Sequence, residues 1–266
     1  MQDLELAIHA ASAGAAVVRE GFGDFGTPEL KSFNNPVTEV DRAAEEVILG
    51  HLRRHRPADS ILAEESGATS GGGRRWIVDP LDGTVNFVHK IPHIGVAVAL
   101  FDGDQPLVAV IVDPLRDEVF SAEAGGGTEL NGTPVGVTTA PSLTGTVIAT
   151  GFAYDHHEHA ASYTRTVTAV LEQVNGIRRM GAAALDLAWV AAGRYDGYWE
   201  FSLAPWDLAA GILLVREAGG TASTPLGRPA PPEVPHIVAT NGLIHEQLRA
   251  IVEDTLPPHL GSTEDR

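Results

Sequence analysis

The sequence contains no cysteine, which excludes disulfide bonds, thiolate metal sites and cysteine nucleophiles. Basic residues are also scarce, because 18 lysines and arginines stand against 35 aspartates and glutamates and give a formal net charge of −17. An acidic surface of this kind repels nucleic acids and anionic membranes, so we expect neither as a partner. No apolar run approaches the roughly 18 residues of a membrane span. The opening "MQDLEL" has acidic residues where a signal peptide has basic ones, and we therefore expect a soluble, cytoplasmic protein.

The chain is long enough for one large domain or two packed subdomains, and residues 1–140 combine two helical patterns with a series of short strands. Apolar residues recur at helical spacing near the start, and a second helix begins near Thr38 or Asp41, either of which can cap it. The short apolar runs that follow are separated by turns, and Asn131-Gly132 is typical of a hairpin. This pattern predicts an antiparallel sheet flanked by the first two helices.

Residues 141–266 show a different pattern, in which strand-like and helix-like segments alternate. The segments are "GTVIATG", "AALDLAWVAAG", "YDGYWEF" and "PWDLAAGILLVREAGG". Such alternation predicts a smaller α/β subdomain, which we expect to complete one compact unit with residues 1–140.

One segment, "WIVDPLDGTVNF", carries an apolar strand directly into two aspartates and a turn. Pro80 keeps the chain extended and interrupts the regular ladder at Asp79, and Gly83 can adopt backbone angles closed to other residues. Thr84 stands at or beside the cap of a short helix, so the backbone N–H groups of residues 82–84 would point outward as an anion cradle. The alternative interpretation is a surface turn with an Asx cap.

An anion cradle beside Asp79 and Asp82 is useful only if a cation lies between the carboxylates and the anion. The segment "DPLDGTVNF" contains no lysine or arginine that would supply this charge. Mg²⁺ prefers oxygen ligands and commonly bridges carboxylates to phosphate oxygens. The pattern is thus compatible with a Mg²⁺ site that binds an anion, and the surface turn remains the alternative for this segment taken alone.

Three further segments place acidic residues where an apolar stretch meets a turn. These residues are Glu64 and Glu65 in "ILAEESG", Asp207 in "APWDLAAG" and Asp41 in "NPVTEVDRAAEE". Taken singly, each is readily interpreted as a solvated charge or a helix cap, and the helix dipole alone would favour Asp207 at its position. Their occurrence in one chain with the D-P-x-D-G-T turn strengthens the metal-site interpretation.

Together, "AEES", "DPLDGTVNF" and "PWDLAAG", in this order, resemble the inositol monophosphatase family of Mg²⁺-dependent, lithium-sensitive phosphatases. "VTEVDRAAEE" and "GYWEFSLAPWD" extend the resemblance over about residues 3–255. The resemblance implies an α/β (α+β) fold, a layered αβαβα sandwich of the sugar-phosphatase type, and a homodimer. It also implies hydrolysis of myo-inositol monophosphate to inositol and phosphate by a metal-activated water.

The resemblance further implies a set of ligands for two or three Mg²⁺ ions. Glu64, Asp79 and the backbone carbonyl of Leu81 would hold the first ion. Asp79, Asp82 and Asp207 would hold the second. All of these ligands are oxygen donors, as Mg²⁺ requires.

The residues implied for catalysis are Thr84, Glu64 and Asp41. Thr84, together with Glu64 or Asp41, would orient the attacking water and take its proton, and Asp41 matches a position associated with a third, weaker metal. The phosphate would be bound at Asp82, Gly83 and Thr84 through backbone N–H groups.

The residues implied for substrate binding lie in the second half of the sequence. Ala183 and Glu200 match positions that contact the inositol ring, where Glu200 would accept hydrogen bonds from ring hydroxyls. Asp186, in "AALDLAWVAAG", would either bond the substrate or pack its helix, and the sequence leaves these alternatives open.

Other functions are compatible with the same motifs. A related phosphatase could act on fructose 1,6-bisphosphate, histidinol phosphate or a nucleotide phosphate. A protein of another class, a regulatory or RNA-processing partner, could keep the fold without catalysis. The histidines of "YDHHEHAA" allow a zinc site as a minor alternative, although oxygen ligands already fill the metal motif.

Overall fold

The computed structural model describes residues 1–32, 35–154, 156–257 and 260. In this part of the chain the helices are α1 Asp3–Gly21, α2 Glu39–His55, α3 Thr84–Val88, α4 His156–Leu171, α5 Ala183–Ala191, α6 Pro205–Glu217 and α7 His245–Asp254. The strands are β1 Glu29–Ser32, β2 Asn35–Val37, β3 Ser60–Ala63, β4 Gly67–Thr69, β5 Arg74–Asp82, β6 Gly95–Asp102, β7 Gln105–Asp113, β8 Glu118–Glu123, β9 Gly127–Leu130, β10 Thr133–Val135, β11 Val147–Thr150, β12 Gly176–Arg178, β13 Gly197–Glu200, β14 Thr221–Ser223 and β15 Ile237–Thr240. Over these described ranges, none of the helices combines the length and apolar character needed to cross a bilayer.

A large sheet of eight strands has the order β10-β9-β8-β7-β6-β5-β3-β4. Its neighbouring strands are antiparallel except for β3 and β5, which run parallel with Ile61 opposite Trp76. The chain passes through β4 at the sheet edge and then enters β5 on the other side of β3. The predicted antiparallel arrangement holds at all the remaining pairs of neighbouring strands in this sheet. The β9–β10 hairpin is confirmed, with positive φ at Asn131 and Gly132 as a type I′ turn requires.

A second sheet has five strands in the order β12-β11-β13-β15-β14. β11 runs parallel to both β12 and β13, whereas β15 is antiparallel to both of its neighbours. The parallel strands are connected through α4 and α5, as the predicted alternation of strands and helices implied.

The layers follow from the alternation of side chains along the strands. Trp76 and Val78 of β5 pack with α1 and α2 on one face of the large sheet, whereas Ile77 packs with α5 and α6 on the other. Tyr198 and Ala239 of the second sheet belong to this same core around α5 and α6, and α4 and α7 cover that sheet's other face. The order of layers confirms the predicted αβαβα sandwich.

β5 brings the two motif aspartates to the centre of the molecule. Asp79 lies opposite Ala97 and Asp82 lies opposite Gly95, and the register is irregular between these pairs. The predicted interruption at Pro80 is therefore confirmed, although the strand resumes at Asp82. Both aspartates are buried where the strand meets α3.

The sequence patterns did not indicate the hairpin of β1 and β2, in which Glu29 lies opposite Val37. This hairpin directly precedes α2 and supplies Leu30, Asn35 and Pro36 to the wall of the cavity described below. Its strands are too short for period-2 alternation to be recognised.

Candidate active site

The turn after β5 has the backbone geometry that the motif predicted. Asp79 Oδ1 accepts a hydrogen bond from the backbone N–H of Leu81 at 3.0 Å, which stabilises the bulge at Pro80. Gly83 has φ of 87° and caps α3, which begins at Thr84. A side chain at Gly83 would meet three atoms at 3.2 Å, including the carbonyl oxygen of His93, so the position needs glycine for its angles and its space.

Asp82 connects this turn to α5. Its Oδ1 accepts from the backbone N–H of Ala183 at 3.0 Å, and its Oδ2 accepts from that of Leu185 at 3.1 Å. Asn86 reinforces the junction, because its amide donates to the carbonyls of His93 and Met180 at 2.7 Å each. The first turn of α5 is thereby fixed against the end of β5.

Asp207 reaches the site from the first turn of α6. Its Oδ2 accepts from the backbone N–H of Ala204 at 2.7 Å, and Pro205 begins the helix. This bond uses one carboxylate oxygen for capping. The capping alternative and the ligand alternative for Asp207 are therefore compatible, since Oδ1 is left for a ligand.

Glu64 and Glu65 follow β3 and are held by Glu45, which accepts from the backbone N–H groups of Glu65 and Ser66 at 2.8 Å each. Lys31 lies against both acids, with its Nζ 2.8 Å from Glu64 Oε1 and also bonded to Glu65. Sequence reasoning missed this cation because it comes from the β1–β2 hairpin, 33 positions before Glu64.

Asp41 and Thr84 contact each other, as the resemblance implied. The Thr84 hydroxyl lies 3.0 Å from Asp41 Oδ1 and 3.1 Å from the carbonyl oxygen of Leu81, either of which can accept its proton. Asp41 Oδ2 accepts from the backbone N–H of Thr38 at 2.9 Å and from its hydroxyl at 2.6 Å. Thr38 caps α2 and Asp41 completes the capping box.

A cavity of about 640 Å³ brings most of the predicted site residues together. Its wall includes the following predicted residues: Glu64, Asp79, Leu81, Asp82, Gly83, Thr84, Ala183, Glu200 and Asp207. Asp41 and Asp186 are fully buried outside that wall. Asp41 reaches the cavity through Thr84, whereas Asp186 pairs with His93 Nε2 at 3.0 Å, a position that favours the helix-packing alternative over substrate contact.

The carboxylates of the cavity lie close to one another and are largely removed from solvent. Burial, and then the charge of Glu64, raises the pKa of Asp79 well above its usual value. Burial raises the pKa of Asp82 to about 8, and burial followed by the charge of Asp82 raises the pKa of Asp207 strongly. Within the described ranges, no lysine, arginine or histidine forms an ion pair with Asp79, Asp82 or Asp207. A bound cation would stabilise the ionised form of such a group of acids.

This donor set fits a hard divalent cation. Asp79 and Asp207 each have one oxygen that bonds a backbone N–H group and one that does not, and Leu81 adds a carbonyl on the same wall. Among the described residues no group of three or more carboxylate or imidazole side chains is arranged to hold an ion, so binding requires the carboxylates to reorient. Oxygen donors of this kind suit Mg²⁺.

The histidines of α4 lend no support to a zinc site. His156 Nδ1 lies 2.6 Å from the carbonyl oxygen of Ala153, and His157 Nδ1 lies 3.2 Å from that of Tyr154. Among the residues that the structure describes, no three metal-ligating side chains converge there.

Comparison with known proteins agrees with this architecture. The family model of the inositol monophosphatase family matches residues 2–256. The chain is 42% identical over 266 residues to the Nus factor SuhB of Pseudomonas aeruginosa, with 97% of this chain and 98% of that protein covered. It is 42% identical over 249 residues to the inositol-1-monophosphatase of Rhizobium meliloti, with 92% and 93% covered.

A solved structure of inositol monophosphatase from Anabaena superposes with a TM-score of 0.87 at 38% identity, and covers 96% of this chain and 97% of its own. The family model, the relatives and the solved structure each match almost the whole sequence. The chain therefore belongs to the inositol monophosphatase family.

Proposed function

We propose that this protein is a Mg²⁺-dependent phosphomonoesterase that hydrolyses myo-inositol monophosphate to inositol and phosphate. The observation that carries the proposal is the group of carboxylates, buried Asp79 and Asp82 with half-buried Asp207, beside the turn at Gly83 and the Asp41–Thr84 pair. The carboxylates attract cations, the turn offers backbone N–H groups to an anion, and the pair offers a proton acceptor.

The proposed ligands are those that line the cavity. Glu64, Asp79 and the carbonyl of Leu81 would hold one Mg²⁺ ion, and Asp79, Asp82 and Asp207 would hold another. Bound there, Mg²⁺ supplies Lewis acidity and lowers the pKa of a coordinated water. Lys31 bonds Oε1 of Glu64 and therefore competes with a metal ion for this carboxylate.

The Asp41–Thr84 pair orients and deprotonates the attacking water. The Thr84 hydroxyl donates to Asp41 Oδ1 and so presents its oxygen lone pair to a water in the cavity. Burial raises the pKa of Asp41, which improves this carboxylate as a base near neutral pH. The capping bonds from Thr38 fix Oδ2, so that Oδ1 alone faces Thr84.

The phosphate and the inositol ring would be bound by different residues of the cavity wall. The backbone N–H groups of Gly83 and Thr84 would hold the phosphate, and the positive φ of Gly83 allows both to point the same way. Ala183 and Glu200 on the cavity wall would contact the ring, with Glu200 accepting from hydroxyls.

The test is release of inorganic phosphate from a panel of esters by the purified protein. The panel contains myo-inositol 1-phosphate, fructose 1,6-bisphosphate, histidinol phosphate and a nucleoside monophosphate, each with Mg²⁺ or with EDTA. We expect Mg²⁺-dependent turnover with inositol phosphate as the preferred substrate. Faster turnover of another ester would transfer the assignment to that substrate, and turnover that persists in EDTA would refute the metal-dependent reaction.

A second candidate is a role as a Nus factor, which is favoured by the 42% identity to the Pseudomonas aeruginosa protein of that name. This role and the enzymatic one are separable by the same panel. A folded protein that releases phosphate from none of the esters at any Mg²⁺ concentration would favour the non-catalytic role. We also propose that the chain forms a homodimer, which sedimentation equilibrium measures directly.

A further inference from the structure

Among the described residues of the cavity wall, Glu200 is the acid that lies outside the proposed metal ligands, and a tyrosine holds it. Tyr198 stands two positions earlier on β13, so both side chains lie on the same face of the second sheet. The Tyr198 hydroxyl donates a hydrogen bond to Glu200 Oε2. Tyr198 is fully buried and Glu200 is 7% exposed, so water does not compete effectively for this bond.

Gly151 confines the same carboxylate from a second direction. It directly follows β11, which runs parallel to β13 with Thr150 opposite Trp199. A methyl group built on Gly151 would overlap the Glu200 carboxyl group, so only glycine leaves room for the carboxylate at this place. The Glu200 head group is therefore fixed between the Tyr198 hydroxyl and the backbone of Gly151.

The consequence is that the two oxygens of Glu200 have different roles. Oε2 accepts from Tyr198, whereas no protein donor in the described part of the chain reaches Oε1. Glu200 lines the cavity. Its Oε1 is not among the described side-chain atoms that are both fully buried and without a hydrogen-bond partner. A carboxylate oxygen in this position is available to accept a hydrogen bond from a hydroxyl of a ligand in the cavity.

We propose that Tyr198 is a positioning residue for polyol recognition, which orients Glu200 so that Oε1 accepts a hydrogen bond from a substrate hydroxyl. The selected substrates are phosphate esters of polyols, in preference to aryl phosphates that have no hydroxyl to donate. The inference rests on the proposed function, because it assigns specificity to the same cavity.

The test compares two substrates, myo-inositol 1-phosphate and p-nitrophenyl phosphate, in the Mg²⁺-loaded enzyme. Tyr198→Phe removes only the hydroxyl and leaves Glu200 free to rotate. We expect the ratio of kcat/KM for the inositol ester to that for the aryl ester to fall about tenfold, chiefly through a higher KM for the inositol ester. Tyr195→Phe removes a hydroxyl from another buried tyrosine outside the cavity and should leave the ratio unchanged.

A double-variant cycle distinguishes action through Glu200 from a packing effect. If Tyr198 acts by orienting Glu200, Tyr198→Phe should change the ratio less than twofold in a Glu200→Gln background. An unchanged ratio in Tyr198→Phe, or a full loss in both backgrounds, would overturn the proposal.

Gly151→Ala provides an independent variant if Tyr198→Phe melts below the assay temperature. The added methyl group displaces the Glu200 carboxylate, so the ratio should fall in the same direction. A ratio equal to that of the unaltered protein would contradict the proposal. An unaltered protein that hydrolyses neither ester would instead refute the proposed function, so the two failures are distinguishable.

Discussion

The carboxylate of Asp82 accepts a hydrogen bond from the backbone N–H of Ala183, with 3.0 Å between Oδ1 and the nitrogen. This bond joins the end of β5 to the first turn of α5 across 101 positions of the chain. One side chain thus closes the junction between the two halves and also faces the cavity. Its removal should affect both activity and stability, by different amounts.

Asp82→Asn should abolish most of the phosphatase activity while leaving the protein folded. Asparagine lacks the charge, and its amide offers N–H groups where a backbone donor needs an acceptor. We expect kcat/KM to fall by at least about 100-fold and the free energy of unfolding to fall by about 1–2 kcal/mol. Phosphate-release assays and urea denaturation measure the two quantities. Asp104→Asn, at an exposed turn, is the control, and near-normal activity in Asp82→Asn would exclude Asp82 as a ligand.

The stability of the metal-free protein should increase as the pH falls from about 8.5 to about 5.5. Burial raises the pKa of Asp82 to about 8 and that of Glu200 to about 8, against about 4 in an unfolded chain. A carboxyl group whose pKa is higher in the folded state stabilises that state fully below the unfolded pKa, and this contribution is lost as the pH rises through the folded pKa. Thermal unfolding in EDTA measures the effect.

Added Mg²⁺ should reduce this pH dependence, because bound Mg²⁺ stabilises the ionised carboxylates and so raises Tm most at high pH. A metal-free protein with its highest Tm at about pH 8.5 would contradict the protonation of these groups.

Lys31→Met should lower the Mg²⁺ concentration that gives half-maximal activity. The Lys31 ammonium lies 2.8 Å from Glu64 Oε1 and also bonds Glu65, so it competes with Mg²⁺ for a ligand. Since the pair is partly exposed, we expect a shift of about threefold rather than orders of magnitude. Arg53→Met, which removes one positive charge from the exposed side of α2, is the matched control. A higher Mg²⁺ requirement in Lys31→Met would show that the lysine assists the site rather than competing with the ion.

Gly83→Ala should impair the turn that binds phosphate. Alanine is disfavoured at φ of 87°, and its methyl group would lie 3.2 Å from the carbonyl oxygens of Gly181 and His93. We expect a loss of about 1–3 kcal/mol in unfolding free energy together with a higher KM for the phosphate ester. At Gly50, inside α2, an added methyl group would meet no atom within 4 Å. Gly50→Ala should therefore stabilise the protein by about 0.5–1 kcal/mol. Equal stability changes at the two positions would refute the steric argument.

The sequence predicted the parts of the site that lie in short contiguous motifs. Asp79, Asp82, Gly83 and Thr84 lie within six positions at the end of one strand, so their proximity follows from the sequence alone. Local signals also predicted the sheet flanked by α1 and α2, whereas the full order of layers was implied only by the resemblance to the family.

Relationships between distant segments were not predictable in the same way. The ion pair of Lys31 with Glu64 has no local signal, because the β1–β2 hairpin is short and its position over the site depends on the completed fold. The parallel pairing of β3 and β5 was not predicted, because the pairing of strands that β4 separates along the chain leaves no local signal. For Asp186, the sequence left substrate contact and helix packing as alternatives, and only the contact with His93 in the folded structure favours helix packing.

The location of α5 and α6 between the two sheets has a consequence for synthesis. One face of the eight-stranded sheet, with Ile77, Phe101 and Phe120, is covered by helices that are translated after the sheet itself is complete. A nascent chain that has emerged from the ribosome only as far as Val135 therefore exposes that apolar face to solvent. Until Leu214 and the rest of α6 are synthesised and cover this face, we expect chaperones to bind the exposed apolar surface of the intermediate.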